Sequence, residues 1–305
     1  MEILLAKPRG FCAGVKRAIS TVEQALTIYG RPVFVLHEIV HNSHVIQMLR
    51  SKGAVFVEEL EEIPEGSITI FSAHGVSEQT VEDAQARNLK IIDATCPLVT
   101  KVHMQAYHYS AKGQEVIIIG HPGHPEVEGT QGWVKGPVSI IANVEEAANY
   151  RPQAEKLAYV TQTTLSIDDT KEIIELLTKR FPDITGPKLS DICYATQNRQ
   201  DAVKQLAQQI DILLVVGSTN SSNSNRLKET GIQQGLPSYL IENKDNIDFN
   251  WFKNKDKIGI TAGASAPEIL VEEVVNKLKS RFQCDVKEIS GKEESIEFRL
   301  PKMIL

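Results

Sequence analysis

The sequence predicts an α/β protein built from three small parallel-sheet units, and three observations predict it. Short β-branched runs recur along the chain with unbroken rather than alternating hydrophobicity, as in strands covered on both faces. Each run opens into a loop of Gly, Ser, Asn or His and then an amphipathic stretch, the order of a βαβ unit. Three of the four cysteines occupy the same kind of place, after such a run and before a helix start.

The elements follow in order. EILLA leads into GFCAG, and Val15, Ala18, Ile19, Val22, Ala25, Leu26 and Tyr29 then recur at helical spacings of three and four. Gly30 stops that helix. RPVFVL opens into HEIVHNSH, SITIFSA into HGVSE, LKIIDA into TCPLV and EVIIIG into HPGHPEVEG. VSIIA and KLAYV come next, the second ending on TQTTLS. DILLVV opens into GSTNSSNSNRL, PSYLI follows, and KIGIT opens into AGASAPEIL. Ile269, Leu270, Val274, Leu278 and Phe282 mark the last helical stripe. The expected units are residues 14–96, 97–193 and 194–281, the last joined by the N-terminal strand 1–13, with a C-terminal tail at 282–305.

Composition narrows the function classes. The 305 residues are 42% hydrophobic and 24% charged, ample for buried cores. A net charge of −6 argues against a nucleic-acid partner. No apolar run nears the ~20 residues of a membrane helix, and no secretory leader is visible at the start. Four widely spaced cysteines fit a reducing compartment, hence a cytoplasmic protein. Motifs for a P-loop, a dinucleotide site and a hydrolase nucleophile elbow are all absent, so any redox chemistry needs an external electron source.

Cys12, Cys96 and Cys193 sit in ILLAKPRGFCAGVKRA, KIIDATCPLVTKV and LSDICYATQNRQDA. Any one of them alone reads as a small buried hydrophobe. Three on strand-end loops read instead as soft-metal ligands, for zinc or an iron–sulfur cluster. Three thiolates leave one iron of a cubane without a protein sulfur, and an open position marks a reactive site. Cys284 lacks this context and reads as packed. His41, His74 and His124 follow apolar runs and so lie at the sheet edge where α/β proteins bind ligands. His37, His103 and His108 read as ordinary strand or helix residues, and His44 and His121 fit either description. Glu126 could donate protons if burial raises its pKa, although a helix-start Glu needs no such role. Ser221, Ser222, Asn223, Ser224 and Asn225 exceed what one N-cap needs and suggest a phosphate or diphosphate cradle. Thr163 adds a hydroxyl cluster after LAYV.

Together GFCAGVKRA, HEIVHN, SAHGVS, DATCPLV, GHPGHPEVEGT, TQTTLS, CYATQNRQ, SSNSNRL and TAGASAP closely resemble the 4-hydroxy-3-methylbut-2-enyl diphosphate reductases, in that family's order from about residue 1 to residue 280. These enzymes perform the last step of the methylerythritol phosphate route to isoprenoids. The resemblance implies a trefoil-like, pseudo-threefold arrangement of three α/β domains around a central 4Fe–4S cluster held by Cys12, Cys96 and Cys193. It implies diphosphate binding by His41, His74, His124, Ser221, Ser222, Asn223 and Ser265. It implies proton delivery by Glu126 with Thr163, which also contacts substrate. The expected partners are an allylic diphosphate substrate and an electron donor of ferredoxin or flavodoxin type, with no nucleic acid and no membrane. Two rivals use the same residues: an open-iron hydro-lyase without net electron transfer, and a zinc-stabilised anion-binding protein.

Overall fold

The computed structural model describes residues 1–187 and 190–302. Leu189 of the run before Cys193 and the last three residues of the tail lie outside the described residues. In chain order the elements are β1 (Glu2–Leu5), α1 (Ala13–Tyr29), β2 (Val33–Leu36), α2 (Ser43–Lys52), β3 (Ala54–Val57), β4 (Ile68–Phe71), α3 (Glu78–Ala86), β5 (Lys90–Asp93) and α4 (Pro97–Ala111). They continue with β6 (Glu115–Ile119), α5 (Pro125–Gln131), β7 (Val138–Ile141), α6 (Val144–Asn149), β8 (Leu157–Thr161), α7 (Ile167–Arg180) and α8 (Tyr194–Ala207). The last are β9 (Ile212–Val216), α9 (Ser222–Gln233), β10 (Ser238–Ile241), β11 (Lys257–Ala262), α10 (Glu268–Lys279) and β12 (Asp285–Glu288).

The strands form three separate sheets, of order β10-β9-β11-β1-β12, β3-β2-β4-β5 and β7-β6-β8. Every pairing is parallel. Parallel neighbours need crossovers, which here are mostly helices, so the inner strands are covered on both faces. Ile117, Ile118 and Ile119 of β6 are all at most 1% exposed, as are Leu213, Leu214 and Val215 of β9. This explains the unbroken runs in the sequence.

The chain divides into two compact units. The first gathers Met1–Val15, His41–Val45 and Tyr194–Glu297 around the five-stranded sheet. Its two apolar layers lie on the two faces of that sheet: Ile212, Leu214, Ile258 and Ile260 with α10 on one, Leu213, Val215, Leu4 and α8 on the other. The second unit holds Lys16–Val40, Ile46–Cys193 and a short stretch beginning at Phe298, with the other two sheets. At the base of β6 the buried Glu115 accepts N–H groups of Gln153 and Ala154 at 2.6 and 2.9 Å and the Tyr150 hydroxyl.

The ten runs read as strands all appear. β3 and β12 are additional: β3 follows α2 across Gly53 alone, which hides the boundary, and β12 (DVKE) has one apolar residue. The last helical stripe ends at Lys279, and Phe282 instead packs beside Phe249 and Phe252.

Candidate functional site

Parallel strands all point the same way, so their carboxyl ends deliver loops to one edge of each sheet. In the first unit that edge carries Cys12, His41, Ser221, Ser222, Asn223 and Ser265. Gly10, at φ +68, and Cys12 donate their N–H groups to the carbonyls of Ala262 and Ala264, each at 3.2 Å, which runs the cysteine loop along the end of β11. The Ser265 hydroxyl donates to the His41 carbonyl at 2.9 Å, and the Asn220 amide lies 3.5 Å from His41 Nδ1. Ser221 caps α9, and its Oγ accepts both the Ser224 N–H at 3.4 Å and the Ser224 hydroxyl at 3.1 Å. With its oxygen occupied twice as acceptor, Ser221 has only its own proton left to offer outward. Asn223 is 4% exposed, and neither its amide nitrogen nor its oxygen has a partner among the described residues. Such an orphaned amide is costly unless something binds it. Gly217 and Gly263 enclose Ser224, because a Cβ at either would overlap its hydroxyl.

In the second unit the edges of both sheets carry His74, His124, Glu126, Thr163, Cys96 and Cys193. The rings of His74 and His124 meet edge to face with centroids 6.0 Å apart, so the two sheets bring their histidines together. His124 caps α5 by accepting the Glu126 N–H on Nδ1 at 3.1 Å, which places the neutral ring's proton on Nε2. Glu126 is 2% exposed. Its Oε1 accepts the Thr163 N–H at 2.6 Å and its Oε2 the Thr163 hydroxyl at 2.9 Å. Burial pushes the carboxyl up to about 7 against those two bonds, with Asp191 adding to the rise. A Glu poised near neutrality suits proton transfer.

Cys96 caps α4 and donates its N–H to Ala73; Cys193 directly precedes α8 and donates to the Thr163 carbonyl at 3.1 Å. Thr163 therefore joins the Glu126 carboxyl to the backbone of Cys193. All four cysteines are free thiols, and all are partly exposed. Cys12, Cys96 and Cys193 each stand just before the first residue of a helix, where partial positive charge favours an anionic ligand set. A soft thiol is the ligand type that iron–sulfur clusters take. Among the described residues no three His, Cys, Asp or Glu are grouped closely enough for one metal ion.

Three supporting residues escaped the motif reading. Asp191 accepts the Thr161 N–H at 3.3 Å, returns its own N–H to the Thr161 hydroxyl at 3.0 Å, and lies 3.5 Å from Lys101, pinning the run before Cys193 to β8. Ser224 stood within the Ser/Asn stretch, but its inward direction has no sequence signal. His103 is buried, stacked on Trp133 with ring centroids 6.0 Å apart, and underlies Gly75. Burial lowers its pKa to about 4, so it packs as a neutral ring.

An α/β chain with ligand-ready loops on its strand ends, free thiols at helix starts and a buried acid belongs to the class of small-ligand enzymes built at sheet edges. It matches the family described as LytB protein over residues 3–279. The chain belongs to that family. It is 56% identical over 302 residues to the 4-hydroxy-3-methylbut-2-enyl diphosphate reductase of Burkholderia pseudomallei strain 1026b, covering 99% of this chain and 96% of that protein. The solved E-1-hydroxy-2-methyl-but-2-enyl-4-diphosphate reductase of Plasmodium falciparum superposes with a TM-score of 0.94 at 39% identity, covering 99% of this chain and 96% of that one. A second solved structure, described as the terminal enzyme of the non-mevalonate pathway, gives a TM-score of 0.66 at 31% identity, covering 92% and 100%. Among the described residues no helix is long and apolar enough to cross a membrane.

Proposed function

We infer that this chain is a 4-hydroxy-3-methylbut-2-enyl diphosphate reductase, the last enzyme of the methylerythritol phosphate route. It is an oxidoreductase. The net reaction adds two electrons and two protons to an allylic alcohol, releases the hydroxyl as water, and leaves isopentenyl and dimethylallyl diphosphates. Full-length relatedness supports the reaction. The observation that carries the chemistry is the buried Glu126–Thr163 pair with its carboxyl near neutrality.

Hydroxide leaves poorly, so the allylic C–O bond breaks readily only when the oxygen gains a proton. Glu126 holds that proton on Oε2. When the carboxyl is protonated, its O–H donates to Thr163 Oγ1, which frees the threonine's own proton for the substrate hydroxyl. The carboxylate left behind takes up a second proton from solvent, and the recharged pair delivers it to carbon. Ser221, Ser222, Asn223 and Ser265, with His41, His74 and His124, supply donors for the diphosphate, and the orphaned Asn223 amide supports this assignment. Anchoring the diphosphate fixes the reacting end and lowers the entropic barrier. Cys12, Cys96 and Cys193 would hold a 4Fe–4S cluster, which when bound supplies electrons one at a time and Lewis acidity at its open iron. The electrons come from a small ferredoxin- or flavodoxin-type protein in a reducing compartment, the cytoplasm.

The test is an anaerobic preparation assayed for iron and sulfide, then given the hydroxylated allylic diphosphate with dithionite and a viologen. Viologen oxidation matched by the two C5 diphosphates is the expected result. A loaded cluster that consumes no reductant would move the reading to a hydro-lyase, and zinc in place of iron would overturn the redox assignment.

A further inference from the structure

Arg199 is fully buried on α8, and all five of its N–H donors are used. Nε and Nη2 both reach the Gly10 carbonyl, at 3.1 and 2.7 Å. Nη1 donates to the Ala195 carbonyl at 2.9 Å. The remaining Nη1 and Nη2 protons meet Oε1 and Oε2 of Glu294 at 3.0 and 3.2 Å. The Asn198 amide adds a third bond to Glu294, at 3.0 Å.

The partners place this group in the chain. Gly10 precedes Cys12 by two residues, and the residue after Cys12 is gripped from the same helix, since the Ala13 N–H donates to the Tyr194 hydroxyl at 3.3 Å. α8 therefore brackets Cys12 from both sides. Glu294 comes from the tail, beyond the residues matched by the family. The tail reaches it along a fixed track. Ile289 N–H donates to Leu5 at 3.0 Å, and the Gln205 amide to the Ser290 carbonyl at 3.1 Å. Gly291 lies flush on the Lys7 carbonyl with no room for a Cβ, and Glu293 pairs with Lys7 at 2.6 Å.

We propose that Arg199 is a positioning residue for the Cys12 loop and that the tail serves as its counterion strap through Glu294. A buried guanidinium is tolerable only if paired and fully hydrogen-bonded. The Gly10 and Ala195 carbonyls supply only neutral acceptance, so the carboxylate of Glu294 is what balances the charge of the fork. The tail thereby sets the geometry of the first of the three cysteines. This rests on the reading of Cys12 as a cluster ligand.

The experiment uses Glu294→Gln, which keeps the side chain's shape and removes its charge, and Arg199→Lys, which keeps charge and loses the fork. Cluster-loaded protein is followed for iron release to a chelator, and the reduced cluster is examined by electron paramagnetic resonance. Cluster-free protein is alkylated with iodoacetamide, and Cys12 and Cys96 are counted separately by mass spectrometry. The expected result in both variants is about tenfold faster alkylation of Cys12 with Cys96 unchanged, faster iron release, and an altered resonance spectrum. Parent rates at Cys12, or equal acceleration of Cys12 and Cys96, would overturn the positioning role, the second outcome marking a general loss of stability. Cys12→Ser tests the underlying reading on its own: a full cluster in that variant means Cys12 is not a ligand, whatever the strap does.

Discussion

Glu126 gains protons on folding, which ties its chemistry to its stability. Its carboxyl rises from 4.5 to about 7 because burial disfavours the charge. Below pH 4.5 it is neutral in both folded and unfolded chains, and its contribution is fully present. As the pH climbs to 7 that contribution is lost, and above 7 the fold carries a buried carboxylate costing about 3 kcal/mol. Glu126→Gln should therefore gain stability relative to the parent between pH 4.5 and 7 and hold the gain above it, as read from urea midpoints across that range. The same variant should keep its cluster and bind substrate while turnover falls ~10²–10⁴-fold. Parent-rate turnover would remove Glu126 as the proton donor. Ser224→Ala removes the hydroxyl that donates to Ser221 Oγ, so the outward direction of the Ser221 proton is no longer fixed. It should raise KM about 5-fold, in line with a net hydrogen bond of ~1 kcal/mol, with kcat near the parent value.

The loop between β4 and α3 shows how an element is held by what lies beneath it. Gly75 has φ +78, and the neutral His103 ring of α4 fills the space where a Cβ would stand. Gly75→Ala should cost ~1–3 kcal/mol in urea unfolding and weaken substrate binding through His74, whereas Gly123→Ala, at φ +77 in open space, should cost only its backbone strain. This is also where legibility ends. The β6 and β9 runs were readable because both faces are covered, and the candidate site residues stood out because such chemistry draws on Cys, His, Ser, Thr, Asn and Glu. His103 read as an ordinary helix residue, because periodicity cannot tell which buried ring supports a loop. Arg199 and Glu294 lie 95 residues apart, so no local pattern links them. β3 went unread because only Gly53 separates it from α2, and β12 because DVKE carries a single apolar residue.

At the scale of the molecule, the two units differ in how the chain enters them. The second takes one long stretch, Ile46–Cys193, with both of its sheets except β2. The first is assembled from distant pieces, and β1 lies inside its sheet, with Ile3 paired to Ile258 on one side and Val286 on the other. A fragment of residues 16–193 should therefore fold, with amides of β6 and β8 protected from hydrogen exchange. Uniform fast exchange in that fragment would show that the second unit needs the first. Ile3→Asp in the full chain sets an unpaired charge in the middle of the five-stranded sheet and should cost more than ~4 kcal/mol, seen as loss of folded protein.

The strand order also carries a consequence for biosynthesis. A ribosome makes Cys12 long before Glu294, so of the three cysteine loops the earliest to emerge is the last to be fixed in place. Until β11 and the tail have left the exit tunnel, β1 has no neighbours and its cysteine loop has no shape. The long stretch Ile46–Cys193 of the second unit, with Cys96 and Cys193, has emerged well before then. The loops of Cys96 and Cys193 would thus take shape on the nascent chain before that of Cys12, which waits for the tail.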